Sequence, residues 1–220
     1  MLDNQIENES VTIDLNGIRL YGFLKVPKDA LGLVIFVHGS GSSRFSRRNR
    51  AVADYLFKKN MGTLLFDLLT EKEEEYDQLS AGYRFNIPFL AGRLMEVTDW
   101  MIKKFEAEKK NIFIGYFGAS TGAAAAIEAA VEYPGIVKAI VSRGGRPDLA
   151  ALALSEVKAP TLLIVGGNDT EVLSLNQSAW RSIHAPKELY IVKGATHLFE
   201  EPGALEEVAR VAAQWFEKYF

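Results

Sequence analysis

The sequence predicts an α/β fold: a mostly parallel sheet of eight strands with helices on both faces and no cap domain. Three observations predict it. Six apolar runs, at residues 33–37, 63–66, 112–117, 137–141, 161–165 and 189–192, show no polar alternation, as expected of strands covered on both faces. The segments between them have helix length. In one, Ile87, Leu90, Leu94, Val97, Met101 and Phe105 step by three or four and mark a single helical face. Strand, helix, strand repeated in this way builds a parallel sheet. Ahead of these units, residues 11–15 and 18–26 flank Asn16-Gly17, a two-residue hairpin signal that predicts an antiparallel edge pair.

Taken in order, the hairpin is followed by the strand at 33–37, which ends in His38-Gly39-Ser40-Gly41-Ser42. The strand at 63–66 precedes a charged run, Glu71-Lys72-Glu73-Glu74-Glu75-Tyr76-Asp77, which reads as a solvated surface loop. The long helix from Ile87 leads to the strand at 112–117, then Gly118-Ala119-Ser120-Thr121-Gly122 and an alanine-rich helix over 123–131. Later strands end in Arg143-Gly144-Gly145-Arg146, Gly166-Gly167-Asn168-Asp169 and Gly194-Ala195-Thr196-His197. Pro202-Gly203 opens a last helix whose apolar stripe is Leu205, Val208, Ala212, Trp215 and Tyr219. No repeat or low-complexity tract interrupts the pattern, and 220 residues suit one domain spanning 1–220.

Composition narrows the classes. A net charge of −3 gives no reason to expect nucleic acid or an anionic membrane as partner. With no cysteine, disulfides and thiolate metal sites are excluded, and any nucleophile must be an oxygen or nitrogen group. Met1-Leu2-Asp3-Asn4-Gln5-Ile6-Glu7 lacks the basic start and apolar stretch of a signal peptide, and no apolar run approaches the ~18 residues of a membrane span. A cytoplasmic protein is expected, acting on a small molecule, as a monomer or homodimer.

The chemistry-bearing residues sit where strands end. Ser120, with glycine two residues to either side on a strand-to-helix turn, fits the nucleophile elbow G-x-S-x-G. A serine hydroxyl needs a base, and the base needs an orienting acid. Of the three histidines, His197 follows the final strand at the carboxyl edge of the sheet, where ligands bind in open α/β folds. Asp169, after the preceding strand, is the first choice of acid, with Asp148 and Glu171 as alternatives. An oxyanion formed on attack would be held by two backbone N–H groups, those of Thr121 and Ser40, with Gly41 as fallback for the second. His38 and His184 read as structural. A histidine base predicts activity that rises between about pH 6 and 8.

The arrangement resembles the α/β-hydrolase superfamily, and within it the dienelactone hydrolase-like branch. The stretches V-H-G-S-G-S-S-R, L-L-F-D-L-L-T, G-Y-F-G-A-S-T-G-A-A-A-A and G-G-N-D resemble a bacterial subgroup of hydrolases, some of which carry a fused phosphoribosyltransferase domain that is not expected within these 220 residues. Dienelactone hydrolases proper use a cysteine nucleophile, whereas this elbow holds Ser120, and His38-Gly39 stands where they carry an acidic residue. The resemblance implies hydrolysis of a small carboxylic ester or lactone through an acyl-enzyme, without metal or organic cofactor. Tolerance of aryl esters is expected from an open pocket, and attack on organophosphate triesters is chemically open to the same nucleophile.

Arg44 and Arg143 are candidate contacts for an acidic group on the substrate, Arg143 alternatively pairing with Asp148 or Glu171. Phe199, two residues beyond His197, is a candidate pocket wall, with Phe45, Tyr83, Phe85 and Phe89. Two other classes compete. Gly39-Ser40-Gly41 matches part of a dinucleotide fingerprint but lacks its third glycine, since residue 44 is arginine. A non-catalytic binding or regulatory module on a hydrolase scaffold is the alternative to an enzyme.

Overall fold

The structure is a computed structural model and describes residues 9–15, 17–110 and 113–220. The N-terminal segment, Asn16 of the hairpin turn and Ile112 of the predicted fifth strand lie outside the described residues. Eight strands form one sheet in the order β1-β2-β4-β3-β5-β6-β7-β8. They are β1 (Glu9–Leu15), β2 (Ile18–Lys25), β3 (Gly32–Val37), β4 (Gly62–Phe66), β5 (Phe113–Ala119), β6 (Val137–Arg143), β7 (Thr161–Gly166) and β8 (Lys187–Val192). β1 pairs antiparallel with β2, and β2 antiparallel with β4. All other pairings are parallel. Gly17, at the hairpin turn, takes φ 98°, the backbone region that type I′ turns require.

Among the described residues seven α-helices accompany the sheet: α1 (Arg47–Lys58), α2 (Glu71–Ser80), α3 (Ile87–Ala107), α4 (Thr121–Val131), α5 (Ala153–Glu156), α6 (Thr170–Ser182) and α7 (Ala204–Tyr219). Alternate strand residues feed two cores. Leu33, Ile35 and Tyr116 pack with Leu94, Met101 and Ile127 from α3 and α4. Val34, Phe36 and Phe117 pack on the other face with Val52 and Leu56 of α1 and Val208 and Phe216 of α7. Between β6 and β7 stand only a 3₁₀ turn, Pro147–Ala150, and the four-residue α5, so no cap covers the carboxyl edge there. No described helix is long and apolar enough to cross a membrane.

Two features differ from expectation. The charged run at 71–77 is helical, not a loop. Thr70 accepts Glu73 N–H while Glu73 accepts Thr70 N–H, a complete capping box, and Glu71, Glu73 and Glu74 face the positive end of the helix. Asp77 then folds inward and accepts the backbone N–H groups of Tyr83 (2.7 Å) and Arg84 (3.0 Å) and the Arg84 Nε–H (2.6 Å). β8, predicted as covered on both faces, is an edge strand in which only Val192 is buried. At the opposite, amino end of the strands, Gly32 and Gly115 form a notch. A methyl group at Gly32 would stand 2.5 Å from the Phe220 ring, and one at Gly115 would stand 2.6 Å from Phe216. Those two rings stack at 5.4 Å.

Candidate active site

β5 ends in a reversed backbone. Ser120 takes φ 51° and ψ −123°, a conformation costing a non-glycine residue about 1–3 kcal/mol. Its neighbours hold it there. Ser120 N–H donates to Arg143 O (3.4 Å), and Ser120 O accepts the N–H groups of Ala123 (3.1 Å) and Arg146 (3.0 Å). Both flanking glycines are required by space. A Cβ at Gly118 would stand 2.8 Å from Ala123 N, and one at Gly122 would stand 2.5 Å from His38 O. Gly39 approaches the same turn, since its Cβ would stand 2.9 Å from Ser120 Cβ.

The ends of β7 and β8 are tied together beside this elbow. Gly167 N–H donates to Val192 O (2.8 Å), Asn168 N–H to Ala195 O (2.9 Å) and Asn168 Nδ2 to Gly194 O (2.9 Å). Asp169 is the N-cap of α6 but does not cap it; its Oδ2 lies 2.7 Å from His197 Nδ1. This bond assigns the Nδ1 proton to the Asp169 side and leaves Nε2 for other work. The Asp169 side chain is 14% exposed and that of His197 42%, so the pair is anchored inside and reaches solvent through the imidazole. Asp148, the alternative acid, is engaged by the Arg146 guanidinium at 2.8 Å. Ser120 Oγ and His197 Nε2 make no hydrogen bond to each other; the His197 ring borders Gly144, the residue after the carbonyl that receives Ser120 N–H. A methyl group at Gly144 would stand 3.6 Å from His197 Cε1. Such bonds commonly tighten only when substrate is bound.

Two residues that position this site were not singled out from the sequence. Gly166 allows the β7 and β8 loops to meet, because its Cβ would stand 2.6 Å from Thr196 O and closer still to Ala195 O. Glu201 braces the histidine loop by accepting Thr196 N–H (3.0 Å) and Thr196 Oγ1–H (2.6 Å). These hydroxyl and N–H donors hold its carboxyl below the usual carboxylate range. Gly166 was visible in the sequence only as one more turn glycine, and Glu201 as one more surface acid.

The oxyanion side differs from expectation in one respect. Ser40 N–H does not stand open toward the elbow; it donates to Thr121 Oγ1 at 3.0 Å. The Gly39–Ser42 turn, closed by Ser42 N–H to Gly39 O (3.2 Å), brings Ser40 against the first residue of α4 and directs its N–H there. His38 is structural. Its Nε2 accepts Leu68 N–H (3.0 Å), so the proton sits on Nδ1, 2.9 Å from Gly39 O. Burial pushes its pKa down and keeps it neutral.

The candidate substrate contacts are placed otherwise than predicted. Arg44 is committed to Asp67, through its backbone N–H (2.7 Å) and its guanidinium, and stacks 4.3 Å from the Phe45 ring centroid. Arg143 meets neither Asp148 nor Glu171. It lies buried, donating from Nη2 to Asn49 Oδ1 (3.2 Å), with its guanidinium 5.9 Å from the Phe199 centroid. Burial, aided by the charge of Arg48, pushes it down to about 10. Phe199 is a core residue, 1% exposed, at φ 56°; the reversed backbone turns its ring inward. A cleft of about 450 Å³ opens beside the oxyanion turn, lined by Gly41, Ser42, Leu69, Glu71, Glu74 and Glu75 among others. Among the described residues no group of three or more His, Asp or Glu side chains is placed to hold a metal ion.

Comparison with known proteins agrees with this architecture. The model of the dienelactone hydrolase family matches residues 22–220. A crystal structure of a dienelactone hydrolase from Anabaena variabilis superimposes with a TM-score of 0.95 at 49% identity, covering 99% of this chain and 100% of that one. Est1E from Butyrivibrio proteoclasticus shares the fold, with a TM-score of 0.76 at 17% identity over 96% of this chain and 98% of its own. A protein of Mycobacterium tuberculosis, provisionally named a phosphoribosyl transferase, is 50% identical over 214 residues. Those residues are 97% of this chain but 47% of that protein, so the chain spans about half the length of the curated relatives it matches.

Proposed function

The chain belongs to the dienelactone hydrolase family, and from that premise we propose that it is a serine hydrolase of small carboxylic esters or lactones. The carrying observation is the 2.7 Å bond between Asp169 and His197 across the β7 and β8 loops, beside a serine held at positive φ. In this reading Ser120 Oγ attacks the carbonyl carbon and His197 Nε2 takes its proton. Asp169 holds the imidazole in the tautomer that leaves Nε2 free and steadies the cation that forms. The tetrahedral oxyanion is met by Thr121 N–H at the positive end of α4. His197 returns the proton to the leaving alkoxide or phenoxide, and water, activated by the same base, releases the acid from Ser120.

The surroundings favour uncharged substrates. Arg44 is neutralised by Asp67, and the cleft beside the oxyanion turn carries Glu71, Glu74 and Glu75. Aryl acetates fit such an open site, and organophosphate triesters would phosphorylate the same hydroxyl.

The test is hydrolysis of p-nitrophenyl acetate and butyrate by the wild type and Ser120→Ala, with a fluorophosphonate probe mapped by mass spectrometry. Loss of turnover by several orders of magnitude in the variant, with the probe on Ser120, supports the reading. An inactive wild type, or a variant that retains activity, overturns it in favour of a binding module.

A further inference from the structure

The mechanism above leaves the Thr121 hydroxyl unused. Thr121 follows the nucleophile directly, is 4% exposed, and its Oγ1 accepts Ser40 N–H at 3.0 Å. A hydroxyl carries one proton besides its lone pairs. Among the described residues, that proton is donated to no protein acceptor. A threonine inside a helix ordinarily gives its proton to the carbonyl four residues back, and Thr98 does so here, to Leu94 O at 2.9 Å. Thr121 has no such outlet, because it is the first residue of α4 and the residue four back, Phe117, belongs to β5. The result is a buried donor without an acceptor, one residue from the reacting hydroxyl. The N–H expected to share the oxyanion is meanwhile turned onto this same oxygen.

Resting on the reading of Ser120 as the acylated nucleophile, we infer that Thr121 is a catalytic residue whose hydroxyl donates to the oxyanion. Ser40 N–H donates to Thr121 Oγ1, and Thr121 Oγ1–H donates to the developing O⁻ beside the backbone N–H of Thr121. Thr121 then supplies both donors of the hole, and Ser40 acts through it as a positioning residue. A hydroxyl that already accepts a hydrogen bond is polarised and donates more strongly. The unfilled donor of the resting site is filled only when negative charge appears, which makes the contact selective for the transition state.

Thr121→Val removes the hydroxyl at nearly constant shape, and Thr121→Ser keeps it. Each is compared with wild type in turnover of p-nitrophenyl acetate and in inhibition by an aryl trifluoromethyl ketone, whose adduct with a serine carries the same oxyanion. The expected result for Thr121→Val is a fall in kcat of about 100-fold or more, the usual effect of losing one oxyanion donor. KM should stay within about two-fold, since the contact is absent from the ground state. The ketone should weaken in parallel, and Thr121→Ser should recover both. Unchanged or raised kcat in Thr121→Val would overturn the inference, because the hydroxyl then merely occupies a Ser40 N–H that serves better when freed. Loss of kcat with unaltered ketone affinity, or without recovery by serine, would also overturn it and leave a structural clamp. If Thr121→Val does not fold, Thr121→Ala against Thr121→Ser decides on the same criteria. Absence of fluorophosphonate label on wild-type Ser120 would refute the proposed function itself, whereas labelled wild type with an unimpaired Thr121→Val refutes only the role of the hydroxyl.

Discussion

Replacing Gly122 by alanine should dismantle the turn that presents Ser120, and the size of the effect follows from the contacts. The new Cβ would stand 2.5 Å from His38 O and 2.8 Å from Val37 C, with Val37 O closer still, where ordinary contact begins at 3.4 Å. These are backbone atoms at the end of a strand paired on both sides, to β4 and β5, so relief of the closest contact requires α4 to move away by more than about 1 Å. Overpacking of this kind costs about 3 kcal/mol, offset by the roughly 1 kcal/mol by which alanine outperforms glycine in a helix. The net loss of about 2 kcal/mol corresponds to a fall in melting temperature of about 4–8 °C for a chain of this size. Gly92, inside α3, is the matched control, because a Cβ there meets nothing within 4 Å. Gly92→Ala should gain up to about 1 kcal/mol, or about 2–4 °C. Thermal and urea unfolding followed by circular dichroism measure both, and the fluorophosphonate labelling rate reports the elbow. If Gly122→Ala melts at or above the wild-type temperature and labels at the wild-type rate, the argument from close approach is wrong.

Two further predictions concern carboxylates. Asp169→Asn should lower kcat toward p-nitrophenyl acetate by about 10⁴-fold, because an amide there favours the wrong imidazole tautomer; a loss under about tenfold would assign the orienting role elsewhere, with Glu171 next in line. Burial alone would raise the Asp77 carboxyl, but the Tyr83 and Arg84 donors outweigh it and hold the folded-state pKa below the usual range. Its contribution is therefore present above the unfolded value near 3.8 and is lost as pH falls through the folded one. Asp77→Asn should lower stability at neutral pH by about 2 kcal/mol, the scale of hydrogen bonds to a charged group, and flatten the acid limb of melting temperature against pH below about 4. An acid limb of unchanged slope would show that other carboxylates set it.

What could be read from the sequence divides along physical lines. The elbow was legible because its constraint is local: glycine on both sides of a serine, between an unalternated apolar run and a helix, admits few backbones. Asp169 and His197 were legible because chain order along the sheet places successive strand ends side by side, and the structure brings those two within hydrogen-bonding distance. α2 was missed because only Asp77 among its residues is buried, so it has no apolar stripe to detect; its signal was the Thr70 and Glu73 capping pair. The fates of Arg44 and Phe199 depend on Asp67 and on a reversed backbone at residue 199. Those are pairings across the fold that no local window carries. The Ser40 to Thr121 bond spans 81 positions and belongs to the same class.

The stacked rings of Phe216 and Phe220 in the Gly32 and Gly115 notch fix the last described residue at the amino end of the strands, away from Ser120 and His197. A surface tether joined there would hold each molecule with its reactive mouth facing the bulk solution. Under the proposed function, molecules held this way should turn over bulky esters at the rate of the free protein, whereas coupling through surface lysines would bury a fraction of the mouths against the support.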